Sequence, residues 1–314
     1  MKNILVIGAS GFVGSHLCSY LASENFNVTA YSRSPIDLGP SIAYLTSPSF
    51  QFLFDDPSLL SKFDSIVYAA GRAHKFLGTP TISCVSQYFS DNTIDPVQIA
   101  RLASLAGVKR FIYISTIKVN GDSTSNFNSF SSLDDHCPKD IYALSKSLAE
   151  KLLGSTLRCS ATSLIIVRPP LIYGPGVKGN LHSLIKFFKY GIPLPFSTLR
   201  SNKRSFLSIY NLSDFIRVIL LHKDACSQTF LVRDPDETST HDFVDSYCRS
   251  IGFSFKSFFL PRFLLRLVFS LIGKDSSFFS LTSSLRMDIS HTLDTLNWTP
   301  PYSLKASLEQ YPRT

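Results

Sequence analysis

The start of the chain constrains its fold most. Four consecutive apolar residues, Ile4-Leu5-Val6-Ile7, stop at Gly8. Gly8-Ala9-Ser10-Gly11-Phe12-Val13-Gly14 follows, then Leu17, Tyr20 and Leu21 at helical spacing. An apolar run without alternation predicts a strand covered on both faces. A glycine-rich turn between such a strand and a helix gathers backbone N–H groups and the positive end of the helix at one point, which suits a pyrophosphate. Gly8 then allows the tight turn, Gly11 lets the backbone approach the phosphates, and Gly14 lets the helix lie close on the sheet. Ser10, Phe12 and Val13 complete the loop.

The pattern recurs along the first half. Apolar runs predict further strands at 28–31, 50–54, 65–70, 111–115 and 163–167, with helical patterns at 96–106 and 141–154. Strands alternating with helices predict an α/β fold, a Rossmann-type doubly wound parallel sheet, with a smaller α+β substrate domain. The expected division is a dinucleotide-binding domain over 1–174, with a return segment near 205–235, and a mainly substrate-binding part over 175–314. The Ser/Asn-rich stretch 123–132 reads as a mobile loop. The segment 258–279 is apolar on most faces, which fits either substrate-domain core or a surface that docks on a membrane or partner.

Composition excludes several classes. Hydrophobic residues make up 44% and charged residues 17%, too apolar for disorder. The net charge of +8 favours anionic ligands, but the basic residues are scattered singly, so nucleic acid is not an expected partner. None of the six cysteines has CxxC spacing, so no metal site is expected. The initial apolar run is too short for a secretion signal and no stretch is apolar enough to span a bilayer. A cytoplasmic protein with reduced cysteines is the expectation.

Two further patterns carry chemistry. The second strand ends in Tyr31-Ser32-Arg33-Ser34, with no carboxylate before Asp37. An acid there would bind a ribose diol, whereas Arg33 suits a 2′-phosphate, with Ser32 as a hydroxyl donor. The expected cofactor is therefore NADP(H), with NAD(H) as the alternative. Ala69-Ala70-Gly71, after the fourth strand, is small enough to let a dinucleotide pass. Tyr142-Ala143-Leu144-Ser145-Lys146 places a phenol and an ammonium on one helix face. Hydride transfer at a carbinol carbon requires a proton to move on or off its oxygen, and a phenol beside an ammonium can move it.

Taken in order, the Gly8–Gly14 turn, Ile114-Ser115-Thr116, the Tyr142/Lys146 pair and Arg168-Pro169-Pro170-Leu171-Ile172-Tyr173-Gly174-Pro175-Gly176 resemble the extended short-chain dehydrogenase/reductases. The resemblance is to their nucleotide-sugar-modifying branch, the NAD-dependent epimerase/dehydratase family. It implies a catalytic triad of Thr116, Tyr142 and Lys146, with Ser115 as the fallback for Thr116. It also implies cofactor contacts from Asp55 (at the adenine), Asn92, Ser115, Tyr142, Lys146 and Pro169. Substrate contacts would come from Asn180, Arg204 and Arg286, with His74, Lys118 and Asn120 as further candidates. Arg33, Leu171 and the stretch 117–121 depart from the UDP-galactose 4-epimerase pattern and fit a UDP-glucose 4-epimerase-like subgroup. That subgroup includes 4-ketoreductases forming UDP-N-acetylquinovosamine or -fucosamine for O-antigen. The resemblance implies a UDP-sugar substrate, a homodimer through 96–106 and 141–154, and C4 reduction as the reaction. The alternatives are C4 epimerisation and a catalytically silent NADP-binding sensor or scaffold.

Overall fold

The structure is a computed structural model that describes residues 1–73, 81–125, 127–177, 193–271, 273 and 275–311; His74 and Asn180 lie outside the described residues. The strands in chain order are Asn3–Ile7 (β1), Asn27–Ser32 (β2), Ala43–Thr46 (β3), Ser65–Tyr68 (β4) and Arg110–Ile114 (β5). Ser163–Arg168 (β6), Leu171–Tyr173 (β7), Arg204–Ser208 (β8), Thr229–Leu231 (β9) and Glu237–Thr238 (β10) follow. Seven of them form one sheet in the order β3-β2-β1-β4-β5-β6-β9, and β10-β8-β7 form a second. Every pairing in the large sheet is parallel.

The helices that matter here are Phe12–Ser23 (α1), Gln51–Asp55 (α2), Ile82–Phe89 (α3), Asp95–Leu105 (α4), Ile141–Leu157 (α5) and Ile209–Leu221 (α6). Thr240–Ser250 (α7), Arg262–Leu271 (α8) and Asp275–Thr282 (α9) belong to the second lobe. Alternation in β1 explains the layering. Ile4 and Val6 face one core with Leu17 and Leu21 of α1 and Phe215 and Ile219 of α6. Leu5 and Ile7 face the other, with Ile99 and Ala103 of α4 and Ala149 and Leu153 of α5. Both faces are buried, as a doubly wound sheet requires. A third core, around Tyr173, Phe206 and Phe243, fills the second lobe.

Three sequence expectations change. The third strand is Ala43–Thr46, and residues 50–54 lead into and form α2. The run Phe50-Gln51-Phe52-Leu53-Phe54 is short enough to fit either period, and the buried pair Phe50 and Leu53 sits three apart, as on a helix. Within 123–132, Thr124 and Phe130 are tied to a distant segment: Thr124 N–H donates to the Ser284 carbonyl at 2.8 Å and Phe130 N–H to the Arg286 carbonyl at 2.9 Å. Segment 258–279 divides. Leu265 and Phe278 are buried in the third core, while Phe259, Phe263, Leu267 and Leu271 are exposed.

Candidate active site

The glycine turn is built as its spacing demands. Gly8 has φ +92°, and a Cβ there would stand 2.5 Å from the Ala70 nitrogen. A Cβ on Gly14 would stand 2.2 Å from the Gly8 carbonyl oxygen, so only glycine lets α1 start this close to β1. The Gly8 and Ala9 N–H groups donate to the Tyr31 carbonyl, which fixes the turn to the end of β2. Gly11 is the exposed N-cap of α1, and no side chain caps that helix. Its first-turn N–H groups and its positive end therefore fit a pyrophosphate. Gly8 thus packs directly on the Ala70 backbone.

At the end of β2 the hydroxyl of Ser32 is turned back onto the Ser34 carbonyl at 2.6 Å. Arg33 stays half-exposed, with Nη2 2.9 Å from Asp91 Oδ1; the other Asp91 oxygen holds Arg72 at 3.1 Å. The sequence reading missed Asp91, because only the fold brings it beside Arg33. Asp55 is not at a strand end. It is exposed at the C-terminus of α2, where it accepts from Gln51 at 2.9 Å.

Two of the three residues expected to be catalytic, Thr116 and Tyr142, are in contact. Thr116 follows β5 and its hydroxyl hydrogen-bonds the Tyr142 phenol, lowering that phenol's pKa. Burial outweighs this and pushes the phenol up to about 12. Lys146, one turn further along α5, is buried; its Nζ donates to the Ile114 carbonyl at 2.8 Å and lies 4.3 Å from the centre of the Tyr113 ring. Burial pulls its pKa down to about 7, with Glu150 acting against the fall. Lys146 is thus directed at the end of β5. Gly71 closes the pocket: a Cβ there would meet Lys146 Nζ at 3.2 Å. Asn92, in a π-helical turn over Ser90–Ile94, binds the Arg72 backbone through both amide ends and donates to Ser145 of α5 at 2.9 Å. It thereby ties the end of β4 to α5.

Behind the triad lies a buried ionic cluster that no local pattern announces. Both Glu150 oxygens accept from Arg168, the shortest bond being 2.6 Å, and Glu150 Oε1 also accepts from the Ser115 hydroxyl. Arg168 donates further to Asn120 at 3.1 Å and to His136 Nε2 at 2.6 Å. Because arginine only donates, His136 Nε2 accepts and its Nδ1 proton faces Ser147 at 2.8 Å. Burial, with Arg168 assisting, lowers the His136 pKa in keeping with that neutral tautomer.

This cluster corrects two assignments. The Ser115 hydroxyl is committed to Glu150 and so is neither the fallback catalyst nor a cofactor donor. The Asn120 amide is spent on Arg168, Ser131 and Asp134, which removes it from the substrate contacts. Lys118 pairs with Asp140, the N-cap of α5, at 2.7 Å and so anchors the helix that carries Tyr142. Pro169 is buried after β6, its carbonyl accepting from Ile117 N–H at 2.9 Å. Arg204 begins β8 and donates to the Ser283 carbonyl at 2.8 Å; burial brings its pKa down to about 10. Arg286 pairs with Glu237 of β10 at 2.8 Å. Both arginines thus sit on the small sheet and its flank.

A family model described as the NAD dependent epimerase/dehydratase family matches residues 4–232. The chain belongs to that family. A UDP-glucose 4-epimerase of Vibrio cholerae is 36% identical over 310 residues, covering 98% of this chain and 94% of that relative. The N-acetyl-alpha-D-glucosaminyl-diphospho-ditrans,octacis-undecaprenol 4-epimerase of Escherichia coli O157:H7 is 27% identical, covering 82% and 75%. The solved UDP-N-acetylglucosamine 4-epimerase of Bacillus cereus superposes with a TM-score of 0.77 at 18% identity, covering 99% and 98% of the two chains. That last likeness speaks for the fold.

As a member of this family, the chain is an enzyme of nucleotide-sugar redox chemistry that uses a nicotinamide dinucleotide. The bound dinucleotide supplies the hydride or takes it up. On the protein side, the uncapped α1 N-terminus fits phosphate charge, Asn92 ties the end of β4 to α5, and Thr116 hydrogen-bonds the Tyr142 phenol.

Proposed function

We propose that this chain reduces C4 of a UDP-4-keto-6-deoxy-N-acetylhexosamine with NADPH, in the making of O-antigen or a related polysaccharide. The observation that carries the reading is the buried Tyr142 phenol, hydrogen-bonded by Thr116 and kept protonated by burial, with Lys146 one turn further along the same helix. Ketone reduction needs an acid at the forming alkoxide, and a protonated Tyr142 is that acid. Arg33 supports the choice of NADP(H): its guanidinium is half-exposed at the end of β2 and only Nη2 is engaged by Asp91. The triad also makes a silent sensor or scaffold the weaker reading. A second reading, C4 epimerisation with a retained dinucleotide, is supported by the Vibrio cholerae relative.

Incubating the protein with the 4-keto sugar and NADPH tests the pair. Stoichiometric oxidation of NADPH supports reduction. Interconversion of UDP-glucose and UDP-galactose, or of their N-acetyl forms, without added cofactor supports the epimerase instead. For cofactor choice, Arg33→Ala should weaken NADPH binding about tenfold, the scale of one lost charged hydrogen bond, and spare NADH. Equal losses for the two would remove Arg33 from that role. The chain is also read as a homodimer through α4 and α5. Leu144, Leu148 and Leu152 form an exposed i, i+4 stripe on α5 that a second copy would cover, and light scattering gives the mass that decides it.

A further inference from the structure

The helix α8 has two apolar faces, and the fold uses one. Leu265 is buried in the third core and Phe269 packs against it. At about 100° per residue, Phe263, Leu264, Leu267, Val268 and Leu271 span a separate arc of roughly 140° on the other side. That arc faces solvent: Phe263 is 71% exposed, Leu267 55% and Leu271 78%. Phe259, just before the helix, continues it at 68%. A contiguous apolar face of this kind costs free energy in water and marks an interaction surface.

Charge says what covers it. From Ser250 to Lys274 the sequence has Lys256, Arg262, Arg266 and Lys274 and no aspartate or glutamate. The arginines stand at the border between the buried and exposed faces of α8. Arg266 lies 5.6 Å from the centre of the Phe279 ring and Arg262 reaches the Thr282 hydroxyl at 3.4 Å. Both arginines are exposed, so cationic groups stand beside the apolar face, an arrangement that matches anionic lipid headgroups around acyl chains. A second copy of this chain would instead bring arginine against arginine. We infer that the exposed face of α8, with Phe259 and the flanking arginines, docks the second lobe on an anionic lipid bilayer. Attachment is peripheral, since no helix among the described residues is long and apolar enough to cross a membrane. The inference stands on this surface alone and does not depend on the reaction proposed above.

Sedimentation with lipid vesicles tests it. The wild type should pellet with vesicles of phosphatidylcholine mixed with phosphatidylglycerol, bind phosphatidylcholine alone much less, and detach as salt rises. Leu267→Glu should cut binding to the mixed vesicles at least tenfold. Arg262→Gln and Arg266→Gln should each cut it about fivefold, the share of one basic residue near an anionic surface. These side chains lie outside the catalytic machinery, so dinucleotide binding by the variants reports that the fold survives. Failure of the wild type to bind mixed vesicles overturns the inference, as does unchanged binding by Leu267→Glu. Self-association that Leu267→Glu abolishes, seen by light scattering without vesicle binding, would assign the face to a second copy instead.

Discussion

Replacing Lys146 by methionine should stabilise the protein at neutral pH and destabilise it in alkali, while removing activity throughout. Burial brings the Lys146 pKa from 10.5 to about 7. At about 1.36 kcal/mol per unit, the native pocket disfavours the protonated lysine by roughly 5 kcal/mol. The unfolded chain holds its proton up to pH 10.5 and the native chain releases it near 7. Between those values the unfolded state binds more protons, so wild-type stability rises with pH across the window. Below it, the full penalty remains. Methionine carries no proton and escapes the penalty, but it leaves the Ile114 carbonyl without the Nζ donor now at 2.8 Å. An unsatisfied buried acceptor costs about 1–3 kcal/mol.

The two terms have different pH dependence. At pH 6.5 the variant should be more stable than the wild type by roughly 2–4 kcal/mol. Near pH 10 the order should reverse, the variant being weaker by up to about 2 kcal/mol, since about 0.8 kcal/mol of the wild-type penalty remains there. Urea unfolding of both proteins without cofactor, at pH 6.5, 8 and 10.5, follows the crossing. Other alkaline titrations are common to both chains and cancel in the difference. A gap that stays constant over this range would show that the ammonium is not penalised where it sits, and the account of the Lys146 pocket would fail.

Tyr142→Phe should lower turnover at least about 100-fold, the usual worth of a positioned acid or base, with dinucleotide binding by fluorescence titration unchanged. Gly14→Ala should abolish that binding and lower the melting temperature, because its Cβ would overlap the Gly8 carbonyl; a variant that binds normally would refute the close approach. Glu150→Ala should cost about 3–5 kcal/mol by urea unfolding, since it leaves Arg168 charged and buried without its partner. Glu150→Gln, which keeps an acceptor, should lose less.

What could be read from the sequence was what the chain encodes locally. β1, the glycine turn and α1 are contiguous, so each glycine's role could be assigned before its geometry was known. Tyr142 and Lys146 share a helix face by spacing alone. The 50–54 run went wrong because five residues cannot separate a period of two from one of 3.6, and the buried pair Phe50 and Leu53 settled for the latter. The loop at 123–132 looked mobile because its anchors, Ser284 and Arg286, lie far along the chain. Asp91 was invisible for the same reason, and with it the fact that Arg33 already holds a carboxylate. Composition can place an arginine at the end of a strand, but it cannot say what the arginine faces.

The buried cluster shows why that limit matters for catalysis. Thr116 and Tyr142 sit on different elements, the end of β5 and the first turn of α5, and their hydrogen bond requires the two to be held in register. Tyr142, Lys146 and Glu150 recur every four residues along α5, so Glu150 continues the catalytic face one turn deeper. There it accepts from Ser115, the residue before Thr116, and is clamped by Arg168 from the end of β6. One carboxylate therefore joins both halves of the triad and the neighbouring strand. It also keeps the Lys146 pKa from falling as far as burial alone would take it. In sequence, a serine beside Thr116 reads as a fallback for its hydrogen-bonding role. In the fold its hydroxyl is the link that sets where the threonine stands.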